Sequence, residues 1–171
     1  MKNNILISTD DIELPFSTEN IKFFLDMLLE KRNHVGWEVS ILFCSDDSMR
    51  QYNNTYRHID SSTDILSFQS GDMYIDEEKN EWYTAGDIAI SLATMYRNCE
   101  EFNVTANEEL KRLLIHGILH LEGMDHGDAH ITAQAHITAD TTGTDTNDDM
   151  LEMQESIVKD VSDFILIKGK K

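Results

Sequence analysis

The chain has 171 residues, 40% of them apolar, with one proline and a formal net charge of −18. That length and apolar share fit one globular domain with a real core and exclude a disordered chain. No apolar run nears the ~20 residues a membrane span needs, and the start of the chain, which soon reaches Asp10, Asp11 and Glu13, does not read as a signal peptide. The charge argues against general coating of nucleic acid, which rests on Lys and Arg, and Leu113 through Val158 carries neither residue.

Asn4–Ser8 is a short apolar run that predicts a first or edge strand. From Ser17, an N-cap residue, Ile21, Phe24, Leu25, Leu28 and Leu29 recur at the spacing of an amphipathic helix ending near Arg32. Trp37–Phe43 alternates and carries β-branched and aromatic residues, the pattern of a strand. Ser45 and Asp46 open a second helix with Met49, Tyr52 and Tyr56 on one face. Cys44 and Cys99 lie in apolar-periodic segments and read as small buried hydrophobes, which points to a reducing, cytoplasmic setting.

Residues 52–68 include a Tyr56-Arg57 pair and the run Thr63-Asp64-Ile65-Leu66-Ser67-Phe68, leading into a strand. Ser70–Thr84 is polar and acidic, a loop or hairpin excursion, and Ala85–Ser91 returns as a strand. Leu92–Glu101 predicts a helix through Leu92, Met95, Tyr96 and Cys99. Thr105 and Glu108 make a capping box, and the helix they open runs to Leu121 or Glu122. Its expected buried stripe is Leu110, Leu114, Gly117 and Leu121, with His116 and His120 to one side.

His116 and His120 share one face of that helix, with Cβ atoms ~5–6 Å apart. Two neutral imidazoles so placed can grip one Zn²⁺ at ~2.0–2.1 Å per bond. Gly123 can take the left-handed conformation that ends a helix. The chain can then turn back and deliver His126 as a third ligand. Three protein ligands leave a coordination position for water, the layout of a catalytic zinc. Asp125 is better placed to orient a histidine than to be a fourth ligand.

This spacing matches the metzincin peptidases, whose pattern is His-Glu-x-x-His-x-x-Gly-x-x-His, but Gly117 stands where their general-base Glu would be. A peptidase without that carboxylate loses a group worth ~10²- to 10⁴-fold. The form His-Gly-x-Leu-His-Leu-x-Gly-x-Asp-His resembles instead the YbeY family of metal-dependent single-strand endoribonucleases. The segment around Arg57 and Thr63–Phe68, the Gly86-Asp87-Ile88 stretch and the Met150-x-x-x-Gln154-x-x-Ile157 piece resemble it too, in the family's order.

The resemblance implies a zincin-like α+β fold, a small mixed sheet with packed helices, in a single domain over residues 1–171. It implies zinc held by His116, His120 and His126, and an active-site role for Arg57, whose guanidinium suits phosphate oxygens. The bare alternative for Arg57 is a surface arginine at a helix end. His58 reads as an exposed loop residue. The implied activity is cleavage of single-stranded RNA in maturation of the 3′ end of small-subunit (16S) ribosomal RNA and in ribosome quality control, with the small ribosomal subunit as partner and no membrane association.

One stretch departs from the family. Residues 127–149 are rich in Thr and Asp, lack Lys and Arg, and repeat Ala-His-Ile-Thr-Ala at 129–133 and 135–139. They read as a low-complexity insertion, a flap beside the site whose five aspartates repel a phosphodiester. His130 and His136 are weak candidates for further ligands. Two rival functions stay open. One is a zinc peptidase or amidase taking its carboxylate from Asp64 or Asp87. The other is a ribosome-assembly binding protein with a structural metal.

Overall fold

A computed structural model of the chain describes residues 2–10, 12–124 and 147–167. Four strands form one mixed sheet in the order β1-β2-β4-β3, from β1 (Asn4–Asp10), β2 (Trp37–Cys44), β3 (Ile65–Ile75) and β4 (Glu81–Ser91). β1 and β2 run parallel, as do β2 and β4, while β3 is antiparallel to β4 and leaves one edge of the sheet. Parallel neighbours need a crossover, supplied between β1 and β2 by helix α1 (Thr18–Lys31). The remaining helices are α2 (Asp46–Arg57), α3 (Leu92–Phe102), α4 (Ala106–Leu121) and α5 (Asn147–Asp160). The α+β class with a small mixed sheet is as expected from the sequence.

Alternation along the strands sorts side chains onto two unequal faces. Val39, Ile41, Phe43, Ile65, Ile88 and Ile90 enter the main core. There they meet Ile21, Phe24, Leu25, Leu28 and Leu29 of α1, the five periodic positions read from sequence, all buried. The other face is smaller: Cys44, Leu66 and Ala89 pack with Met49 of α2. Cys44 is buried as expected, whereas Cys99 is only half-buried.

One feature decides an alternative the sequence reading left open, and two differ from it. Ser70–Thr84 is the outer part of a long hairpin, since β3 runs to Ile75 and β4 starts at Glu81. Its outer β3 residues are exposed, so core burial leaves no apolar alternation to read there. Helix α5 begins at Asn147, so the last three positions of the expected insertion 127–149 belong to a helix. The rest of that stretch, with His130 and His136, lies outside the described residues. Helix α4 is buried well beyond the expected stripe of Leu110, Leu114, Gly117 and Leu121, with Leu113, Ile115, Ile118 and Leu119 buried as well. The burial extends round the helix because the sheet, α3 and α5 all pack on it.

The ends of α4 explain its placement. The Thr105 hydroxyl accepts from Glu108 N while the Glu108 carboxylate accepts from Thr105 N, a closed capping box. At the other end Gly123, at φ +89°, donates to the His120 carbonyl at 2.9 Å, and Met124 donates to that of Leu119 at 3.1 Å. This paired closure with a left-handed glycine is the Schellman motif. Arg32 and His34, just beyond α1, both bind the Glu122 carboxylate and tie this end of α4 to the neighbouring helix. Among the described residues no helix is long and apolar enough to cross a membrane.

Candidate active site

His116 and His120 project from successive turns of α4, and their Nε2 atoms stand 3.1 Å apart with the rings inclined at 76°. Two imidazoles on one tetrahedral zinc, with bonds of ~2.0–2.1 Å, would have nitrogens ~3.3 Å apart. The pair therefore fits a shared ion. His116 is only 4% exposed, so its chemistry is set by its neighbours. Its Nδ1 lies 2.8 Å from Gln154 Oε1 on α5. An amide oxygen only accepts, so Nδ1 carries the proton and Nε2 presents its lone pair.

The orientation of that amide is also fixed. Gln154 Nε2 donates to Glu155 Oε1 at 3.1 Å. Arg112, one turn before His116, donates to both Glu155 oxygens at 2.8 and 3.3 Å and to Glu109 Oε2 at 3.0 Å. Burial raises the pKa of Glu109 while Arg112 pulls it down. A chain of groups on α4 and α5 thus holds one imidazole in one tautomer, as outer partners of metal-binding histidines do. On the far side, Gln69 of β3 donates to the His120 carbonyl at 2.6 Å and fastens the second histidine's turn to the edge strand.

Of the other residues singled out from sequence, His126 and Asp125 lie outside the described residues. Among the described residues no group of three His, Cys, Asp or Glu side chains is arranged to hold a metal. Arg57 ends α2 and is exposed. The other four arginines are each committed to carboxylates: Arg32 to Glu122, Arg50 to Asp60, Arg97 to Asp46 and Arg112 to Glu109 and Glu155. Among the described residues Arg57 is the one arginine with no carboxylate partner. Its neighbour His58 is exposed and takes the left-handed C-cap position, φ 59°.

The carboxylates a peptidase would need are elsewhere. Asp64 is 1% exposed, and its oxygens accept from Ile65 N, Thr63 Oγ1 and Asn98 Nδ2. These bonds pin the start of β3 to α3, and burial raises the Asp64 pKa. Asp87 is exposed and pairs across the ladder with Phe68, on the sheet face opposite α4. Nor can position 117 carry a side chain without disturbance. A Cβ there would stand 2.5 Å from Ile88 Cδ1 and 3.1 Å from both Cγ atoms. The glycine lets α4 lie directly on β4, and a side chain in its place would have to displace that of Ile88.

The sequence model of one family, Endoribonuclease YbeY, matches residues 4–161. The chain belongs to this family. Among similar proteins, the Endoribonuclease YbeY of Treponema denticola is 49% identical over 130 residues, covering 75% of this chain and 83% of that one. That of Aquifex aeolicus is 34% identical over 125 residues, covering 73% and 79%. A solution structure of a Thermotoga maritima protein superposes with a TM-score of 0.55 at 25% identity, covering 92% of this chain and 88% of that one. Against this YbeY frame, the functional partner that sequence reasoning passed over is Gln154. Its signal was available: Met150, Gln154, Val158 and Val161 form the buried stripe of α5 and its exit, and Gln154 is the polar member, 1% exposed. A glutamine in a core stripe needs hydrogen-bond partners, and His116 and Glu155 supply them.

Proposed function

We propose that this YbeY-family chain is a metal-dependent endoribonuclease that cleaves single-stranded RNA, with zinc held by His116, His120 and His126. The observation that carries the reading is the histidine pair with its two Nε2 atoms 3.1 Å apart and one tautomer fixed through Gln154. Zinc held by His116, His120 and His126 would supply Lewis acidity for activating a water and for polarising a phosphoryl oxygen. The protein's own contributions are two. Gln154, Glu155 and Arg112 hold His116 Nε2 ready to bind without a reorienting step. Arg57, uncommitted to any carboxylate among the described residues, offers a planar pair of donors to phosphate oxygens and to the charge that grows on them during cleavage.

The family membership supports RNA as substrate, and Gly117, packed against Ile88 where a peptidase carries its glutamate, weighs against the peptidase reading. The finer reading is maturation of the 3′ end of small-subunit ribosomal RNA in the cytoplasm, with the small ribosomal subunit presenting the strand. The charge of −18 favours such presentation, because an acidic protein gathers RNA poorly from solution.

The test is incubation of the purified full chain with a single-stranded RNA, its duplex and a peptide mixture, with and without chelator. Cleavage of the single strand alone, lost on chelation and restored by zinc, is the expected result. Peptide cleavage, or RNA left whole after zinc loading, would overturn it.

A further inference from the structure

Helix α2 ends on an aromatic step that the metal site does not use. Tyr56 is 62% exposed, yet its ring meets Phe68 of β3 edge-on, with centroids 4.8 Å apart and planes at 61°. Phe68 is itself half-buried, packed against the small cluster of Cys44, Met49, Leu66 and Ala89. The step is therefore an outward-facing tyrosine anchored on a fixed ring. Phe68 is followed in β3 by Gln69, which is bound to the His120 carbonyl, so the step stands at the sheet edge that reaches the histidine turn. The next residue of α2 is Arg57.

We propose that Tyr56, braced by Phe68, is the platform on which one nucleobase of a single-stranded RNA stacks, while Arg57 takes a phosphate of the same strand. This rests on the ribonuclease reading above and names how the substrate is held. Three observations favour a base over other occupants. A ring braced from behind loses little freedom when a second ring covers its open face, and every base has such a face. Asp87, the cross-strand neighbour of Phe68 on the same side of the sheet, is exposed and acidic. It repels a phosphate there but accepts hydrogen bonds from base amino and imino groups. The cation for the backbone sits one residue along, at Arg57. A single strand, unlike a duplex, can turn a base onto such a step.

The platform predicts a specific pattern in steady-state cleavage by the zinc-loaded full chain. Tyr56→Leu keeps an apolar cover over Phe68 but removes the ring, and KM for a single-stranded RNA should rise about 5- to 150-fold with kcat little changed. Tyr56→Phe should restore the original KM. A series of RNAs, each with one abasic nucleotide, should show the same rise in wild-type protein at one position. At that position Tyr56→Leu should add nothing further. An unchanged KM in Tyr56→Leu, or losses from the variant and the abasic site that add at every position, would overturn the platform while leaving the ribonuclease standing. If wild-type protein leaves single-stranded RNA whole, the ribonuclease reading fails and the platform falls with it.

Discussion

The two sides of the sheet are held by different forces, and the difference divides the labour of the site. On the α4–α5 side nearly every side chain of α4 is buried, and the polar groups that enter, His116, Gln154 and Glu109, are each hydrogen-bonded. On the α2–β3 side the helix buries only Met49 and Asn53, and Tyr56 and Arg57 stand in solvent. The first region suits a charge-bearing ion that needs fixed ligands. The second suits a flexible strand that needs a few adaptable contacts. Preorganisation is concentrated where ligand geometry is strict, and openness where the ligand brings its own variety.

The largest effect should come from breaking the rigid side. His116→Ala removes one of the two converging nitrogens, and both zinc binding and RNA cleavage should fall to background, measured by metal content after gel filtration and by cleavage of a labelled single strand. Zinc retained at full stoichiometry would separate His116 from the metal. On the open side, Arg57→Ala should cut cleavage ~10²- to 10³-fold, the scale of one transition-state donor. Its melting temperature should stay near wild type, because among the described residues the guanidinium makes no ion pair to lose. Loss of activity only through unfolding would return Arg57 to a surface role.

Gln154 sharpens the contrast, because the proposed reading has it act through His116 and not on substrate. Gln154→Leu should weaken zinc binding ~10- to 100-fold, as loss of an outer partner of a metal-binding histidine does. Gln154→Glu keeps an acceptor at His116 Nδ1 and should recover most of that affinity. Nitrogen NMR of the imidazole gives an activity-independent reading: wild type should show His116 with its proton on Nδ1, and the leucine variant a mixture of tautomers. Zinc affinity unchanged in Gln154→Leu would reduce the α4–α5 network to packing.

Much of this was legible in the sequence, for physical reasons that also mark where reading stopped. The α1 stripe, the Thr105–Glu108 box and the Gly123 stop are local rules, written within a few residues and obeyed in the fold. The pairing of His116 with Gln154 spans thirty-eight positions and is decided by how α5 docks on α4. The open state of Arg57 was equally hidden, since it depends on where every other arginine finds its carboxylate. The outer hairpin stayed one of two alternatives, loop or hairpin, because a strand exposed along most of its length lacks the burial that writes period-two alternation. The burial of α4 is wider than the stripe read from sequence because α5 covers it from a distant part of the chain.

The smallest expected effect tests what holds the open side together. Asp46, at the start of α2, accepts from Ser62, Ser91, Thr94 and Arg97, so one carboxylate fastens α2 to α3 and to the loop before β3. Although burial alone would raise its pKa, the bonds from Arg97, Ser91, Thr94 and Ser62 prevail and hold it well below the ordinary carboxylate value. A group with a depressed folded pKa stabilises above its unfolded pKa, near ~3.9, and loses that contribution as pH falls towards the folded value. Asp64 and Glu109 run the other way: burial raises their pKa, so the fold takes up their protons more readily and gains by acidification. Acid should therefore loosen α2 before α4. The Asp46 side chain is 31% exposed, and with solvent screening its contribution is about 1 kcal/mol. Amide exchange measured from pH 6 down to pH ~3 should show protection falling in α2 while that of α4 persists. Asp46→Asn should already be looser in α2 at pH 6 and lose little more in acid. Equal loss of protection in both helices would mean that the two faces unfold as one unit, and the contrast between them would be one of exposure alone.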